Sequence, residues 1–165
     1  KNKAVWRGDI RNNSQREYFV KNFYRTSLFD IGQTSPKQDV AWMKSFMSIK
    51  DQLDFKFIFC LEGKCISTNL YWAMSSNSVC VMPKPKYESW FMEGKLEDGV
   101  HYIEVKDDFS DAQEKIEFYN NNNDKCLEII SNAQKFVKQF KNAKQERLIQ
   151  LLILKQYFQY TGQNG

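Results

Sequence analysis

Along this chain, short runs of consecutive apolar residues alternate with segments in which apolar residues recur every three or four positions, as in a helix. The clearest run, 55–61, is interrupted only by Lys56, which is typical of a strand buried on both faces of a parallel sheet. Further strands are predicted at 3–7, 28–31, 79–82 and 102–105, and a loop at 33–38 around Pro36. Helices are predicted at 14–25, 39–52 (in one or two pieces), 67–75, 107–120, 124–140 and 142–160. The alternation predicts an α/β fold, a Rossmann-like parallel sheet flanked by helices.

Composition is that of a globular domain. The 165 residues are 42% hydrophobic, enough for one domain with a substantial core. A net charge of +4, from 24 basic and 20 acidic residues, gives little support for a nucleic-acid partner. With one histidine and four cysteines that lack C-x-x-C spacing, we expect no zinc site, and buried free thiols in a reducing compartment.

The two ends of the chain raise separate expectations. No run of about 20 apolar residues occurs, so no membrane span is expected. The chain begins inside what reads as a structural element, which predicts that it belongs to a longer protein. The tail combines lysines with an apolar leucine-rich stripe. That pattern fits a helix on an anionic membrane surface, or one packed on its own sheet or on a missing N-terminal domain.

The first candidate for chemistry is Trp6-Arg7-Gly8, at the end of the first predicted strand. Ligands of open parallel sheets bind beyond the carboxyl ends of the strands, where an arginine can fork onto phosphate oxygens. A surface arginine beside a turn glycine is the alternative.

A second candidate follows the 55–61 strand, at Glu62, Gly63, Ser67, Thr68 and Asn69. Gly63 allows a tight turn, and hydroxyl and amide groups at a helix start suit a phosphate. Plain helix capping by Ser67 or Thr68 fits these residues equally well.

The third candidate is the acidic and aromatic segment 87–91. Rings cover apolar sugar faces and a carboxylate such as Glu88 accepts hydroxyl hydrogen bonds. The alternative is a loop with Trp90 tucked into the core.

His101, the single histidine, precedes the last strand at its amino end, so we expect a structural role for it.

Taken together, these motifs resemble the C-terminal, donor-binding half of glycosyltransferase family ninety, the lipopolysaccharide-modifying and protein O-glucosyltransferase-like enzymes. The features that match are W-R-G, the Gly63-to-Ser67 spacing, an acidic residue with a tryptophan at 88–90, and H-Y-I-E-V from His101. The resemblance covers roughly 4–140 and is strongest over 55–105. Asn69 departs from the arginine of eukaryotic members and points toward bacterial lipopolysaccharide core enzymes.

The resemblance implies roles for individual residues. Arg7 and Arg16 would stabilise the leaving diphosphate as the catalytic pair. The donor would be held by Gly8, Glu62, Gly63, Ser67, Thr68, Asn69 and Glu88, with Glu88 on ribose or sugar hydroxyls. Because Asp107-Asp108 is the nearest approach to a D-x-D motif, no catalytic metal is expected. No cofactor is implied beyond the substrate, a UDP-hexose.

The resemblance also implies an activity. It is metal-independent hexose transfer to a glycan or lipid-linked acceptor in bacterial lipopolysaccharide biosynthesis, in the cytoplasm or peripherally on the inner membrane. Residues 1–141 would form the donor-binding domain of a GT-B-like enzyme and 142–165 a packing helix. The missing N-terminal domain would supply the catalytic base. One alternative is a non-catalytic Rossmann-like module that recruits a protein partner or membrane surface. A dinucleotide-dependent oxidoreductase is disfavoured because no G-x-G-x-x-G follows a strand.

Overall fold

The computed structural model describes residues 1–35 and 40–163. Its centre is a five-stranded parallel sheet in the order β2-β1-β3-β4-β5. The strands are β1 (Ala4–Asp9), β2 (Phe29–Ser35), β3 (Phe57–Phe59), β4 (Val79–Met82) and β5 (Ile103–Glu104). The predicted α/β, Rossmann-like fold is therefore confirmed.

Six helices flank or follow the sheet. They are α1 (Ser14–Phe23), α2 (Ile49–Gln52), α3 (Leu70–Met74), α4 (Ala112–Asn121), α5 (Asn123–Lys138) and α6 (Ala143–Thr161). Two 3-10 turns, Glu93–Lys95 and Gln139–Lys141, complete the regular structure.

Several predicted boundaries were wrong. Strand β2 continues to Ser35, where a loop was expected, because Ser35 still pairs with Asp9 of β1 beyond an irregularity at Gly8/Asp9. The rest of the predicted loop, 36–38, lies outside the described residues, as does residue 39. Of the predicted 39–52 helix only α2 is found, while α3 and α4 begin at Leu70 and Ala112 rather than at 67 and 107.

The two faces of the sheet bury separate apolar clusters, because side chains alternate along each strand. On one face Trp6, Phe57 and Phe59 pack with Phe19 of α1 and with residues of α4. On the other face Val5, Ile58 and Cys80 pack with α3. Helix α5 packs in both clusters through four buried residues at helical spacing. Cys126 and Ile129 belong to the first cluster, and Ala133 and Val137 belong to the second.

The cysteines are free thiols, as expected, but the expected burial is found for three of the four. Cys60, Cys80 and Cys126 are buried, and Cys65 is exposed. Burial raises the pKa of the Cys60 thiol well above its usual value, so that thiol stays protonated.

Helix α6 begins at the cap Asn142, whose side chain accepts a hydrogen bond from the Gln145 amide, and ends at Gly162 in the left-handed conformation. It buries none of its residues. Its exposed apolar side chains are Leu148, Ile149, Leu151, Leu152, Ile153, Leu154, Tyr157, Phe158 and Tyr160. Across 1–35 and 40–163, no helix combines the length and apolarity that crossing a bilayer requires.

Candidate functional site

The strand order places a crevice between β1 and β3. Strand β1 is followed along the chain by β2 on one side, whereas β3 is followed by β4 on the other. The connections therefore diverge at the carboxyl ends of β1 and β3, which is where open parallel sheets bind ligands. Gly8 lies at the end of β1, and Glu62 and Gly63 lie just beyond β3, so the fold brings these predicted residues to one rim.

Arg16, in the first turn of α1, holds this rim together. Its Nε donates to the Glu62 carbonyl at 2.8 Å, and its Nη2 donates to the Leu61 carbonyl at 2.6 Å. Its Nη1 donates to the Asp9 carbonyl at 3.2 Å. The guanidinium thus links the ends of β1 and β3, and two of its five N–H groups have no partner among the described residues.

The cap of α1 reinforces this arrangement. The sequence favoured Ser14 as the N-cap, but the cap is Asn13, whose Oδ1 accepts from the Arg16 amide at 2.8 Å. Its Nδ2 donates to the Gly63 carbonyl at 2.9 Å. A Cβ on Gly63 would lie 3.2 Å from Arg16 Nη2, so a glycine there lets the loop lie against the guanidinium.

Burial changes the electrostatics of the crevice. Desolvation lowers the pKa of Arg16, an effect that the negative charge of Asp9 opposes. Arg16 also lies over the Trp6 ring, 5.7 Å from its centroid. A partly desolvated guanidinium beside an aromatic ring interacts more strongly with an anion than one in open water.

Arg7 is engaged elsewhere. Its side chain is 7% exposed, and its Nη2 pairs with Asp30 Oδ1 at 2.7 Å. Its Nη1 donates to the carbonyls of Asp30 and Trp6 at 2.7 and 3.0 Å. Its Nε–H and one N–H of Nη2 have no partner among the described residues, so Arg7, like Arg16, uses three of its five N–H groups. The role of Arg7 as a diphosphate contact stays a prediction.

The carboxylate that holds Arg7 also binds Lys44, whose Nζ lies 2.6 Å from Asp30 Oδ1. Burial by itself would raise the pKa of Asp30, but hydrogen bonds from Lys44 and Arg7 outweigh burial and hold that pKa below its usual value. The cluster is therefore ionised at neutral pH and ties β1 to β2.

The loop after β3 is ordered by its own polar groups. Glu62 Oε1 accepts hydrogen bonds from the amides of Lys86 and Tyr87, at 3.0 and 3.1 Å. Ser67 Oγ donates to Asn69 Oδ1 at 2.6 Å, and Asn69 Nδ2 donates to the Phe59 carbonyl at 2.9 Å. These side chains do not cap α3, so the helix-capping alternative is wrong.

Ser67 and Thr68 line a groove of about 330 Å³ together with the 89–93 segment. Trp90 and Tyr71 form its aromatic side, with ring centroids 5.4 Å apart. Trp90 is 60% exposed and Phe91 is the ring buried in the core, so the alternative that buried Trp90 is wrong. We call this feature the aromatic groove.

The two acidic residues near the groove differ in burial and in hydrogen bonding. Glu93 is buried and accepts from Ser89, at 2.6 Å from its amide and 2.7 Å from its hydroxyl. Glu88 is exposed beside Gly94, and its carboxylate makes no hydrogen bond to a described residue. Glu88 is thus free to accept hydrogen bonds, while Glu93, which the sequence did not single out, fixes the loop.

His101 lies two residues before β5, at the amino end of the strand as expected. Its Nδ1 accepts a hydrogen bond from the Glu97 amide at 3.1 Å, and its ring lies 5.2 Å from that of Phe136. Partial burial lowers the pKa of His101, which the Glu97 charge opposes.

Over the part of the chain that the structure describes, no group of three or more His, Cys, Asp and Glu could hold a metal ion.

Comparison with known proteins decides the family. The model of glycosyl transferase family 90 matches residues 1–160. The chain belongs to that family. It is 41% identical over 159 residues to the O-glucosyltransferase LpsA of Dichelobacter nodosus, a match that covers 96% of this chain and 50% of LpsA. It is 32% identical over 94 residues to the uncharacterized protein 179R of Invertebrate iridescent virus 6, covering 53% of this chain and 8% of that protein.

The chain therefore spans about half the length of LpsA and a small part of the viral protein. The resemblance that the sequence motifs indicated is confirmed at the level of the family.

Proposed function

We propose that this chain is the donor-binding part of a glycosyltransferase that moves a hexose from UDP-hexose to a glycan acceptor. The observation that carries the proposal is the crevice at the ends of β1 and β3, where a partly buried arginine is held by three backbone carbonyls and forms no ion pair with any described residue. A leaving diphosphate needs positive charge held in advance, and a guanidinium fixed by three carbonyls provides it without reorganisation.

In this proposal Arg16 contacts the diphosphate directly. Gly8 and Gly63 let the backbone come close to it, and Ser67, Thr68 and Asn69 border the donor. Arg7, with its guanidinium committed to Asp30, acts chiefly by keeping β1 and β2 in register. The free carboxylate of Glu88 accepts hydrogen bonds from ribose or sugar hydroxyls, and Glu62 holds the loop that carries it.

The acceptor and the pathway are also part of the proposal. LpsA is described as an O-glucosyltransferase, which supports a hexose donor. The role in lipopolysaccharide biosynthesis is proposed from the sequence motifs. Transfer also needs a base to deprotonate the acceptor hydroxyl. We assign that base to an N-terminal domain of a GT-B-like enzyme, corresponding to the part of LpsA that this chain does not match, and we place the reaction in the cytoplasm.

Helix α6 fits the same proposal. Its apolar residues surround the helix, and such a helix is normally buried by its neighbours. We propose that 1–141 form the donor-binding domain and that 142–165 pack against the N-terminal domain.

Calorimetric titration of UDP into the chain, with EDTA throughout, tests the donor site. We expect binding without a divalent ion and about tenfold weaker binding by Arg16→Ala, the loss of about one charge-assisted contact. Arg11→Ala is the matched control, since Arg11 pairs with Asp9 at the surface. Equal affinities for wild type and Arg16→Ala would refute the diphosphate role of Arg16.

A parallel titration with an Arg7 variant distinguishes the roles of Arg7 and Arg16. Arg7→Ala, measured at a temperature where it is folded, should bind UDP nearly as tightly as wild type. A loss that matches that of Arg16→Ala would instead assign Arg7 to the diphosphate.

The non-catalytic alternative rests on the exposed apolar surface of α6. It requires that α6 recruits a partner or an anionic membrane while the crevice stays empty. Co-sedimentation with anionic liposomes together with absent UDP binding would favour it.

A further inference from the structure

A second hollow lies on the same rim of the sheet, at the carboxyl ends of β4 and β5. Its volume is about 320 Å³. Lys84, Pro85 and Lys86, which follow β4, form one side, and Glu104 to Asp107, at the end of β5, form the other. We call it the lysine hollow, after Lys84, Lys86 and Lys106.

The acidic groups of the lysine hollow are already engaged. Asp107 Oδ2 pairs with Lys86 Nζ at 2.9 Å, and Glu104 Oε2 accepts a hydrogen bond from the Tyr102 hydroxyl at 2.7 Å. The ammonium groups of Lys84 and Lys106 make no hydrogen bond or ion pair to any described residue. Glu104 keeps its negative charge, because the Tyr102 hydroxyl is neutral. The lining has three lysines and two carboxylates, which leaves one net positive charge in the hollow.

Nearby Asp108 interacts with Lys106 electrostatically and reduces this positive charge, but it forms no ion pair with either free lysine. Its carboxylate accepts a hydrogen bond from the Ser110 amide at 3.0 Å and so is turned to its own loop. Its pKa is lowered by hydrogen bonds from Ser110 and to a smaller extent by the charge of Lys106. Asp108 therefore weakens the field of Lys106 without forming an ion pair with it.

The hollow is physically connected to the crevice. Glu62, beside the crevice, accepts hydrogen bonds from the amide of Lys86 at 3.0 Å. Gln15, in the first turn of α1, donates to the Asp107 carbonyl at 3.0 Å. Elements that border the crevice thus also contact both walls of the lysine hollow, and the two sites lie at the same end of the sheet.

We propose that the lysine hollow binds a phosphate or carboxylate group carried by the acceptor saccharide. This inference rests on the proposed function, since it assigns the crevice to the donor and the neighbouring hollow to the acceptor. Lysine binds such anions as a point charge without demanding the planar geometry that arginine imposes. Because the lysines are exposed, the affinity is modest and falls as salt rises.

The test is a titration of the full chain followed by amide resonances in nuclear magnetic resonance. Glucose 6-phosphate, glucuronate and glucose are added separately, as phosphate, carboxylate and neutral forms of one sugar. We expect the charged sugars to shift the amides of Lys84, Lys86 and Lys106 and glucose to leave them unmoved. The double variant Lys84→Ala/Lys106→Ala should bind about fivefold more weakly, the loss of two exposed charge contacts.

A charge-matched control is Lys50→Ala/Lys95→Ala, in which two exposed lysines outside the hollow are removed. A response to glucose 6-phosphate alone assigns the hollow to phosphate, and a response to both charged sugars assigns it to either anion. Equal weakening in the control, a response to glucose, or unmoved amides overturns the proposal.

The outcome is separable from that of the donor proposal. Intact UDP binding with unmoved lysine amides refutes the anion site alone. Absent UDP binding with an intact response to the charged sugars refutes the donor site alone.

Discussion

Arg16 donates a hydrogen bond to the carbonyl of Leu61 at 2.6 Å, which fastens the start of α1 to the end of β3. This contact joins two elements that are 45 residues apart in the chain. The same guanidinium shapes the crevice and holds the adjoining strands, so structure and proposed chemistry depend on one side chain.

Replacing Arg16 by lysine should therefore destabilise the protein as well as weaken UDP binding. A lysine keeps the charge but cannot reach three carbonyls in a fork, and losing charge-assisted hydrogen bonds costs about 1.5–3 kcal/mol. Urea unfolding followed by circular dichroism measures the change. Arg11→Lys, at the exposed ion pair with Asp9, should leave the urea midpoint nearly unchanged.

The ion pair between Arg7 and Asp30 leads to a second prediction. Asp30→Asn removes the charge that compensates a nearly buried guanidinium, and we expect a loss of about 3 kcal/mol. The double variant Arg7→Met/Asp30→Asn should recover most of that loss, because the nearly buried guanidinium is gone and Lys44, which also loses its partner, has a side chain that is 35% exposed. A double variant as unstable as Asp30→Asn would show that the cost lies elsewhere. The urea midpoints of wild type, Asp30→Asn and the double variant distinguish these two outcomes.

The exposed indole of Trp90 leads to a third prediction. Trp90→Ala should leave the free energy of unfolding within about 1 kcal/mol of wild type, because 60% of the residue is already exposed. Phe91→Ala, its buried neighbour, should cost about 3–5 kcal/mol. Thermal unfolding of both variants checks the assignment of the two adjacent rings, and a reversed order would contradict it.

His101 predicts a pH dependence. Its pKa is lower in the folded protein than the usual 6.5, so near that pH the unfolded chain binds more protons. The contribution of neutral His101 to the free energy of unfolding is therefore fully present above pH 6.5, and it is lost as the pH falls toward the folded pKa. His101→Gln should remove this decline of stability below about pH 6.5, measured by urea titration at each pH. Because His101 is the single histidine, unchanged profiles would refute this origin.

Removing α6 should cost the domain little. The helix buries no residue, so a chain that ends at 141 should unfold within about 0.5 kcal/mol of the full chain. It should also bind less of a fluorescent probe of apolar surface, because nine large apolar side chains are removed with the helix. A large loss of stability would show that α6 packs on the sheet in solution.

The sequence by itself determined the fold class, because the strand periodicity and the alternation with helices are local properties of the chain. It also determined the family, through short motifs around Arg7, Gly63 and His101. Element ends were less well predicted: β2 extends to Ser35 only because β1 offers a hydrogen-bonding partner that far, and α3 starts late because Asn69 bonds to the Phe59 carbonyl.

Only the tertiary structure decided the state of each polar group. Arg7 and Arg16 look equivalent in sequence, yet Arg7 is paired with the Asp30 carboxylate, whereas Arg16 is held by carbonyls and forms no ion pair with a described residue. Likewise nothing local makes Trp90 the exposed ring and Phe91 the buried one. Partners such as Asp30 and Leu61 are distant along the chain, and which donor meets which acceptor is set by strand order and packing.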